Sequence, residues 1–322
     1  MILAGIDVGT NTIRLLVADV GETSYQELST GRTITRLGQG LDRTGTLSSE
    51  AQARSLDALS AFTEILRRYP SIPVDVVATS ALRRAANART FHQELKRRTG
   101  LDLRVIDGEE EARLTLAGAR RALSQGRRTD KDPLASSLLI DIGGGSTEIV
   151  VTEGGVIRSE RSLDLGAVYL FERFLRSDPP KAGEIERLRQ DVRKGLEAWE
   201  TTLVRETGIC AASPAILAGT AGTITTLAAM DQGMIDYDPA RINGHILAGN
   251  ALDRMVRLLA RTALDERKRI PGLEAGREDI IFAGAIIAQE LMQRSAKREM
   301  LVSDWGLREG IVFDRYEKMV RP

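Results

Sequence analysis

Two glycine-rich segments of this sequence share a residue pattern that suits them to bind phosphate. Residues 6–21 read IDVGTNTIRLLVADVG, and residues 140–155 read IDIGGGSTEIVVTEGG. The segments lie 134 residues apart, and the isoleucine, the aspartate and the first glycine coincide in both copies. In each copy an apolar strand ends in Asp, a turn of small residues follows, and a second apolar strand begins. This order predicts a β-hairpin in each copy.

The two turns have the composition of a phosphate-binding loop. Glycine lets successive backbone N–H groups point at one anion, and serine and threonine hydroxyls add further donors. A single turn of this kind is equally typical of a tight hairpin without a ligand. Two homologous copies favour a cleft that holds phosphate from both sides. The predicted phosphate-binding residues are Gly9, Thr10, Asn11, Thr12 and Arg14 in the first copy, and Gly143, Gly144, Gly145, Ser146 and Thr147 in the second.

Acidic residues beside the turns are candidates for a metal site. A carboxylate does not bind phosphate directly, so we expect the aspartates to hold a hydrated cation. Asp141 and Glu148 flank the second turn, and Mg²⁺ commonly uses one or two carboxylates together with phosphate oxygens. Asp7 is the weaker, symmetric candidate. Arg14 stands where Glu148 stands in the other copy, so it is either an anion ligand or a residue that only packs across the strands.

Chemistry on a bound phosphate group also needs a base and a cation on the phosphate oxygens. Glu109, Glu110 and Glu111 follow one another near a predicted helix start, so their side chains point about 100° apart and at most one faces a given site. The pattern does not choose among them, because acidic residues favour helix N-termini in any case. Arg83 lies at a strand-to-helix junction, where it either binds phosphate in a forked geometry or is a solvated helix residue. Arg84 beside it is the better candidate for a solvated residue.

The elements that must position these groups alternate between helix and strand, which predicts an α/β fold with two related halves. Ser48 or Ser49 is expected to cap a helix that buries Leu56, Leu59, Phe62 and Leu66, and Ser80 to cap another. A polar loop is expected at 124–133. Further strands are predicted at 74–78, 103–106 and 215–218, and further helices at 109–123, 182–206, 249–263, 279–294 and 305–318.

The balance of charges in the chain limits the kinds of partner that we expect. Lys+Arg and Asp+Glu number 45 each, so no overall field attracts nucleic acid or an anionic membrane, and a polyanionic substrate needs a local basic pocket. The arginine pairs at 97–98, 120–121 and 127–128 are either guides for a long polyanion or solvated helix ends. We therefore expect neither a nucleic acid nor a membrane partner.

Other residue counts exclude further classes of protein. The single Cys210 excludes an internal disulfide, and His92 and His245 are too few for a zinc site built on several histidines. The N-terminal apolar stretch is too short for a signal peptide. The later apolar run at 280–288 is far too short to span a membrane. A cytoplasmic protein of 322 residues with two domains is expected.

Seven short motifs occur in an order that resembles the exopolyphosphatase and guanosine pentaphosphate phosphohydrolase (Ppx/GppA) family over essentially the whole chain. The most specific are DIGGGSTE at 141–148 and the upstream EEEARL at 109–114. The others are DVGTNTIR at 7–14, SALR at 80–83, GTAGT at 219–223, RIPGL at 269–273 and SDWGLREG at 303–310. The hairpin motif alone also fits sugar kinases and actin-like ATPases.

The resemblance implies two ribonuclease H-like domains of the actin/hsp70/sugar-kinase superfold around a phosphate-binding interdomain cleft. The first domain would comprise residues 1–120 with a C-terminal helix at 301–322, and the second residues 121–300. The chain resembles the short form of the family, without a C-terminal HD-type domain. The resemblance also implies Glu111 as the catalytic base, because it directly precedes the Ala-Arg pair, and Arg83 as the functional arginine, because it directly follows the leucine. A homodimer and a divalent cation, Mg²⁺ or another, are further expectations.

The resemblance implies an exopolyphosphatase, a phosphoanhydride hydrolase that releases orthophosphate from the end of inorganic polyphosphate. Two alternatives stay open from the sequence. One is removal of the 5′-phosphate of guanosine pentaphosphate, which would connect the protein with the stringent response. The other is a non-catalytic sensor of polyphosphate or an alarmone, which would not need the base Glu111. A kinase or ATPase of the same superfold is disfavoured, because such enzymes lack EEEARL before the second hairpin.

Overall fold

The computed structural model describes residues 1–22, 24–125 and 131–320. The chain packs into two compact units, each built around one mixed β-sheet. Unit 1 comprises Met1–Gly118 and Gly306–Pro322, and unit 2 comprises Ala119–Trp305. The sequence-based boundary at residue 301 would cut a strand of unit 2, Glu299–Val302, which pairs with the strand Ile216–Thr220 of the same unit.

Unit 1 has a five-stranded sheet in the order β3-β2-β1-β4-β5, in which β1, β4 and β5 are parallel and β1, β2 and β3 are antiparallel. Helices α2 and α13 pack against this sheet. The strands are β1 Ile2–Val8, β2 Thr12–Val20, β3 Tyr25–Ile34, β4 Val74–Ala78 and β5 Leu103–Val105. The helices are α1 Leu41–Thr44, α2 Ser49–Leu66, α3 Ser80–Arg84, α4 Ala88–Thr99, α5 Gly108–Ser124, which begins in this unit, and α13 Leu307–Val320.

Unit 2 has a six-stranded sheet in the order β10-β11-β9-β6-β7-β8, with an extra antiparallel strand, β10, at one edge. The strands are β6 Ser137–Ile142, β7 Thr147–Glu153, β8 Val156–Leu163, β9 Ile216–Thr220, β10 Ile246–Ala248 and β11 Glu299–Val302. The helices are α6 Ala167–Phe174, α7 Ala182–Thr207, α8 Ala221–Asp231, α9 Pro239–Ile242, α10 Gly249–Arg261, α11 Leu264–Arg267 and α12 Ile281–Arg294.

The two units are copies of one topology, which confirms the repeat found in the sequence. In unit 1, the third strand of the unit lies at one edge and is followed across the sheet by its second, first and fourth strands and then by a parallel strand. The sheet of unit 2 has the same order when it is followed from β8 through β7, β6 and β9 to the parallel strand β11. The copies even share an irregularity. The pairing of β2 with β3 shifts register at Val17/Ala18, and that of β7 with β8 at Val151/Thr152. Both bulges lie at the same place in the 134-residue repeat.

The structure tests the helix caps predicted from the sequence. The cap before α3 is Thr79, and Ser80 is already the first helical residue. The prediction of a Ser80 cap is therefore wrong, because the chain bends one residue earlier, directly after β4. The predicted Ser48 cap of α2 is confirmed, since its hydroxyl accepts a hydrogen bond from the Ala51 N–H at 3.2 Å. Part of the loop predicted at 124–133 lies outside the described residues.

The core of unit 2 surrounds α12. Twelve of its fourteen residues are buried, because α6, α7, α8 and α10 all pack against it. This explains the apolar run at 280–288, which is buried within a protein core. In the described part of the chain, no helix is both long and apolar enough to cross a membrane.

Replacement of Gly310 by Ala tests the close packing of α5 and α13 in unit 1. A methyl group at Gly310 would overlap the backbone carbonyl of Leu114, so we expect the free energy of unfolding to fall by roughly 1–3 kcal/mol. Gly183→Ala is the matched control, because Gly183 is also helical and its added methyl would meet only Arg187 Nη1 at 3.6 Å. Its stability should stay equal or rise by up to about 1 kcal/mol. Equal melting temperatures for the two variants would contradict this packing.

Candidate active site

The candidate site of unit 1 lies at the carboxyl edge of its parallel strands. Loops that follow β1, β4 and β5 meet there, because parallel strands end at the same edge of a sheet. Backbone hydrogen bonds from Thr79 N to Val8 O at 3.3 Å and from Ile106 N to Ala78 O at 3.0 Å extend the pairing into these loops. The first glycine-rich turn, Arg83 and the start of α5 are therefore brought to one edge.

The first turn is closed by a hydrogen bond from Gly9 N to Thr12 O at 3.1 Å. A Cβ atom on residue 9 would lie only 2.9 Å from Thr12 O, so glycine is required by this close approach. The segment after β3 holds the turn from one side. Gly38 N donates to Thr10 O at 2.8 Å, and the N–H groups of residues 35 and 36 donate to Asn11 O at 3.0 and 2.9 Å.

These hydrogen bonds determine where the turn presents its donors. In a planar trans peptide the C=O of one residue and the N–H of the next point in opposite directions. Because the carbonyls of Thr10 and Asn11 point at residues 35–38, the N–H groups of Asn11 and Thr12 point away from them. The buried Asn11 side chain adds a polar group, since its Oδ1 has no hydrogen-bond partner among the described residues. Rotation of this amide presents an NH₂ donor instead.

Arg83 and Glu111 form an ion pair at this edge. Arg83 Nη1 donates to Glu111 Oε2 at 3.0 Å and to Ile106 O at 2.9 Å. The Glu111 side chain is 8% exposed and that of Arg83 25%. The structure thus brings together the two residues predicted as catalytic, a buried carboxylate and a guanidinium held beside it.

The structure also separates the three consecutive glutamates of α5. Asp107 caps the helix, since its Oδ1 accepts from Glu110 N at 2.7 Å. Glu109 is exposed, Glu110 forms an ion pair with Arg104 at 2.6 Å, and only Glu111 is buried. The helical turn of about 100° per residue produces this separation.

The second turn, in unit 2, has the same closure, with Gly143 N donating to Ser146 O at 2.9 Å. The N-terminus of α6 holds it, because Ala167 N donates to Gly143 O at 3.0 Å and Val168 N to Gly144 O at 2.8 Å. By the same peptide geometry, the N–H groups of Gly144 and Gly145 point away from α6. The Thr147 hydroxyl donates its single proton to Leu165 O at 2.5 Å, so in this arrangement it anchors the hairpin.

Three polar residues lie side by side across the sheet of unit 2. Asp141 is in register with Glu148, and Glu148 with Ser162, so the side chains share one face. Ser162 Oγ donates to Glu148 Oε1 at 2.7 Å. Two carboxylates directly opposite each other repel, and a cation offsets this repulsion. The pair fits Mg²⁺, which needs only one or two carboxylates because it keeps several waters.

The corresponding residues of unit 1 carry different charges. Asp7 is in register with Arg14 on the neighbouring strand, so the aspartate faces a cation where its counterpart faces a carboxylate. Within residues 1–22, 24–125 and 131–320, no group of three or more His, Cys, Asp or Glu side chains is arranged to hold a metal ion. The carboxylate pair of unit 2 is therefore the better candidate for a cation, and Asp7 as a ligand stays a prediction.

Sequence reasoning missed Arg277. It is 5% exposed, its Nε donates to Glu274 Oε2 at 2.5 Å, and its guanidinium packs against Gly222 so closely that a methyl group there would overlap it. This places a cation beside the start of α8, where Ala221 has a left-handed φ of 66°. Nothing in the local pattern marks Arg277, because the contact joins residues far apart in the sequence.

The segment 303–305 holds the Gly219–Thr223 stretch in place. Ser303 N donates to Gly219 O at 2.9 Å, and Thr220 Oγ1 donates to Trp305 O at 2.9 Å. The SDW part of the SDWGLREG motif thus braces the junction between β9 and α8. Arg267 fixes the segment that carries Arg277, donating to the carbonyl oxygens of Leu259 and Glu278 at 2.8 and 2.7 Å. Burial lowers the pKa of this guanidinium.

Three arginines of the pairs considered as polyanion guides, Arg97, Arg98 and Arg120, are engaged by nearby carboxylates. Arg97 and Arg98 both bind Glu94, at 2.6 and 2.7 Å. Arg120 pairs with Asp132 at 3.1 Å, and residues 127–128 lie outside the described residues. His245 pairs with Asp231 at 2.9 Å.

Comparisons with known proteins find similar sequences and structures. The model of the Ppx/GppA phosphatase family matches residues 16–319. Exopolyphosphatase 2 of Mycobacterium tuberculosis is 37% identical, over 96% of this chain and 97% of that protein. A solved structure of the Aquifex aeolicus member of the Ppx/GppA family is 30% identical, with a TM-score of 0.81 and coverage of 100% of this chain and 99% of that one.

A solved exopolyphosphatase structure from Cytophaga hutchinsonii is 26% identical, with a TM-score of 0.87 and coverage of 99% of this chain and 98% of that chain. These likenesses, with the two sheets described above, confirm the predicted α/β fold class, the two-domain actin/hsp70/sugar-kinase superfold.

A double-mutant cycle tests the Arg83–Glu111 ion pair. Arg83→Gln leaves a buried carboxylate without this partner, so we expect the free energy of unfolding to fall by about 1–3 kcal/mol. The double variant Arg83→Gln/Glu111→Gln should lose less than the sum of the single variants, with a coupling of about 1 kcal/mol in urea unfolding. The more exposed Arg104–Glu110 pair is the control and should couple by less than about 0.5 kcal/mol. Additive effects of Arg83 and Glu111 would contradict the pairing.

Proposed function

The chain belongs to the Ppx/GppA phosphatase family, and from this premise we propose that it is an exopolyphosphatase. It hydrolyses the terminal phosphoanhydride bond of inorganic polyphosphate and releases orthophosphate. The observation that carries the proposal is the buried carboxylate of Glu111, held by Arg83 at the edge where the first phosphate-binding turn lies. A base, a guanidinium and backbone donors at one edge of unit 1 are what hydrolysis of a phosphoanhydride requires.

Glu111 is the general base in this proposal. It accepts a proton from a water molecule whose oxygen forms a bond to the terminal phosphorus. The bond from that phosphorus to the bridging oxygen breaks, and the shortened polyphosphate leaves with the electron pair. Arg83 has two roles: it fixes the carboxylate, and its charge stabilises the negative charge on the phosphoryl oxygens. Each glycine-rich turn offers backbone N–H groups to phosphate oxygens, and Arg14 is an additional cation beside the turn of unit 1.

We also propose that Asp141 and Glu148 hold a divalent cation, with Ser162 fixing the orientation of Glu148. The in-register carboxylates and the hydrogen bond from Ser162 support this assignment. A bound Mg²⁺ neutralises charge on phosphate oxygens in reactions of this kind.

Glu111→Gln tests the base. The amide keeps the shape of the side chain but does not take up the proton, so kcat for phosphate release from polyphosphate should fall by about 10²–10⁴-fold. Glu110→Gln is the matched control, since this neighbour points at Arg104, and its kcat should stay within about twofold. Release would be measured with long polyphosphate, guanosine pentaphosphate and ATP as separate substrates.

Three outcomes of this assay would contradict the proposal. Release chiefly from guanosine pentaphosphate would move the function to that substrate with the same site. Binding of polyphosphate without release would indicate a sensor. Equal losses in Glu111→Gln and Glu110→Gln would show that the base lies elsewhere.

Ser162→Ala tests the cation site. Loss of the hydrogen bond to Glu148 frees the carboxylate to rotate, so the dissociation constant for Mg²⁺ should rise about tenfold or more in calorimetric titrations. Activity should return at high Mg²⁺. The control is Ser159→Ala, on the opposite face of the same strand, which should leave the affinity unchanged. Equal affinities in the two variants would contradict the assignment of Glu148 as a ligand.

A further inference from the structure

A cavity of about 430 Å³ lies in unit 2 at the start of α10. The first turn of α10, the last two turns of α12 and the segment 297–299, which leads into β11, line it. Because β11 runs parallel to β9, and β9 to β6, Glu299 marks the amino edge of these strands. The glycine-rich turn of unit 2 follows β6 at the carboxyl edge. The length of β11, about 13 Å at about 3.3 Å per residue, therefore separates this cavity from the candidate active site.

A chain of hydrogen bonds fixes one carboxylate in the wall of this cavity. Gln289 and Asp253 both line it. Arg189 Nη2 donates to Gln289 Oε1 at 2.5 Å, and Gln289 Nε2 donates to Asp253 Oδ1 at 2.5 Å. A guanidinium only donates, so the Gln289 amide must turn its nitrogen towards Asp253. Because Glu290 holds Arg189 in turn at 2.6 Å, the carboxylate of Asp253 is oriented before any ligand arrives, which lowers the entropy cost of binding.

Two cationic residues line the same cavity at the start of α10. Lys297 and Arg298 directly precede β11, and a hydrogen bond from Gly249 N to Arg298 O at 2.8 Å fixes residue 298 beside the first residue of the helix. The Arg298 side chain is exposed, and within the residues that the structure describes it forms neither an ion pair nor a hydrogen bond. A guanidinium in this position favours an anionic group on a ligand.

Helix α10 sets the spacing between the two charged ends of the cavity. Gly249, which holds residue 298, and Asp253 lie four residues apart on this helix, about 6 Å along its axis. The close approach at the helix start needs glycine, because a Cβ atom on Gly249 would lie 3.0 Å from Met292 Sδ and 3.3 Å from Arg298 O. Leu252 and Met292 add apolar surface to the lining. The cavity thus offers a cation and a carboxylate about one helical turn apart.

The charges of the lining residues balance one another. Glu299 adds a second carboxylate to that of Asp253, and Lys297 and Arg298 supply the two cations. A ligand with charge of one sign only would be attracted by one pair and repelled by the other, whereas a ligand that carries both signs matches both pairs. The volume lies within the range of about 300–1,000 Å³ that is typical of small-molecule sites. These features favour a small ligand that carries one positive and one negative group.

We propose that this cavity binds a small zwitterion whose ammonium and carboxylate groups lie about one helical turn apart, as in an ω-amino acid or lysine. The ammonium group donates to Asp253, which Gln289 holds in place, and the carboxylate group binds Arg298. The methylene groups between the two charges lie against Leu252 and Met292. This inference is independent of the proposed function, because the cavity lies at the opposite edge of the sheet from the candidate active site.

Calorimetric titration of the full chain tests the site, with 5-aminovalerate as the probe, because its methylene chain separates the two charges by about one helical turn. Valerate lacks the ammonium group, pentylamine lacks the carboxylate, and glycine holds its two charges closer together. Asp253→Asn removes the charge but keeps an acceptor for Gln289, and Arg298→Gln removes the guanidinium. Arg257→Gln is the matched control, since Arg257 is exposed on the same helix and is not part of the cavity lining.

We expect 5-aminovalerate to bind, and each of the two site variants to raise its dissociation constant by about fivefold, because each removes one charged partner. Arg257→Gln should change the dissociation constant by less than about twofold. Valerate, pentylamine and glycine should bind at least about fivefold more weakly than 5-aminovalerate, because each satisfies only one end of the cavity. The melting temperature of Asp253→Asn should equal that of its parent, since the hydrogen bond from Gln289 is kept.

Absence of saturable binding would overturn the proposal, and so would equal binding of glycine and 5-aminovalerate. Equal losses in Arg298→Gln and Arg257→Gln would show that the ligand binds outside this cavity. Displacement of 5-aminovalerate by polyphosphate would place the ligand in the candidate active site and would also overturn the proposal. None of these results would affect the proposed function, which the release of phosphate from polyphosphate tests separately.

Discussion

The hydrogen bonds to the carbonyl oxygens of the two glycine-rich turns are the constraint on which the rest of the candidate site depends. In unit 1 the segment 35–38 holds the carbonyls of the turn, and in unit 2 the N-terminus of α6 does so. Peptide planarity then orients the following N–H groups before any ligand arrives. A glycine-rich turn without these partners would adopt many conformations. Donors fixed in advance avoid this entropy cost on binding and need no reorganisation during the reaction.

The duplicated fold shows how one backbone serves opposite charges. The hairpins of the two units share their turn hydrogen bond and their bulge, whereas the residues in register with Asp7 and Asp141 are Arg14 and Glu148. The charge at this position thus differs between the units while the hairpin backbone stays the same. The chemistry therefore resides in a few side chains on a common scaffold.

The sequence predicts local features of this structure well and distant contacts poorly. Both hairpins, β4 and the Ser48 cap follow from short patterns that the structure confirms. The third strands, β3 and β8, carry no strong apolar alternation because they lie at sheet edges, where many of their residues are at least partly exposed. They are not evident from the pattern for this reason.

In the candidate site, too, the sequence predicts the local features and misses the distant contacts. The turn residues are marked by composition, but a pattern of three glutamates does not distinguish Glu111. Its ion-pair partner Arg83 is 28 residues away in the chain. The contact of Arg277 with Gly222 likewise depends on the packing of unit 2. Only the family resemblance pointed to Glu111, and no local signal points to Arg277.

The strained backbone of Ala221 indicates a place where the surrounding packing stabilises a conformation that suits ligand binding. Ala221 has a φ of 66° at the first position of α8, directly after β9. This conformation costs on the order of 1 kcal/mol, yet it allows the helix to begin at the carboxyl edge of the sheet without an intervening loop. The N-terminus of α8 then meets the Arg277 guanidinium at Gly222, and helix N-termini and guanidinium groups both favour anions. The segment after β11 holds Gly219 and Thr220 through Ser303 N–H and the Trp305 carbonyl, and these hydrogen bonds resist relaxation of the strained residue that follows.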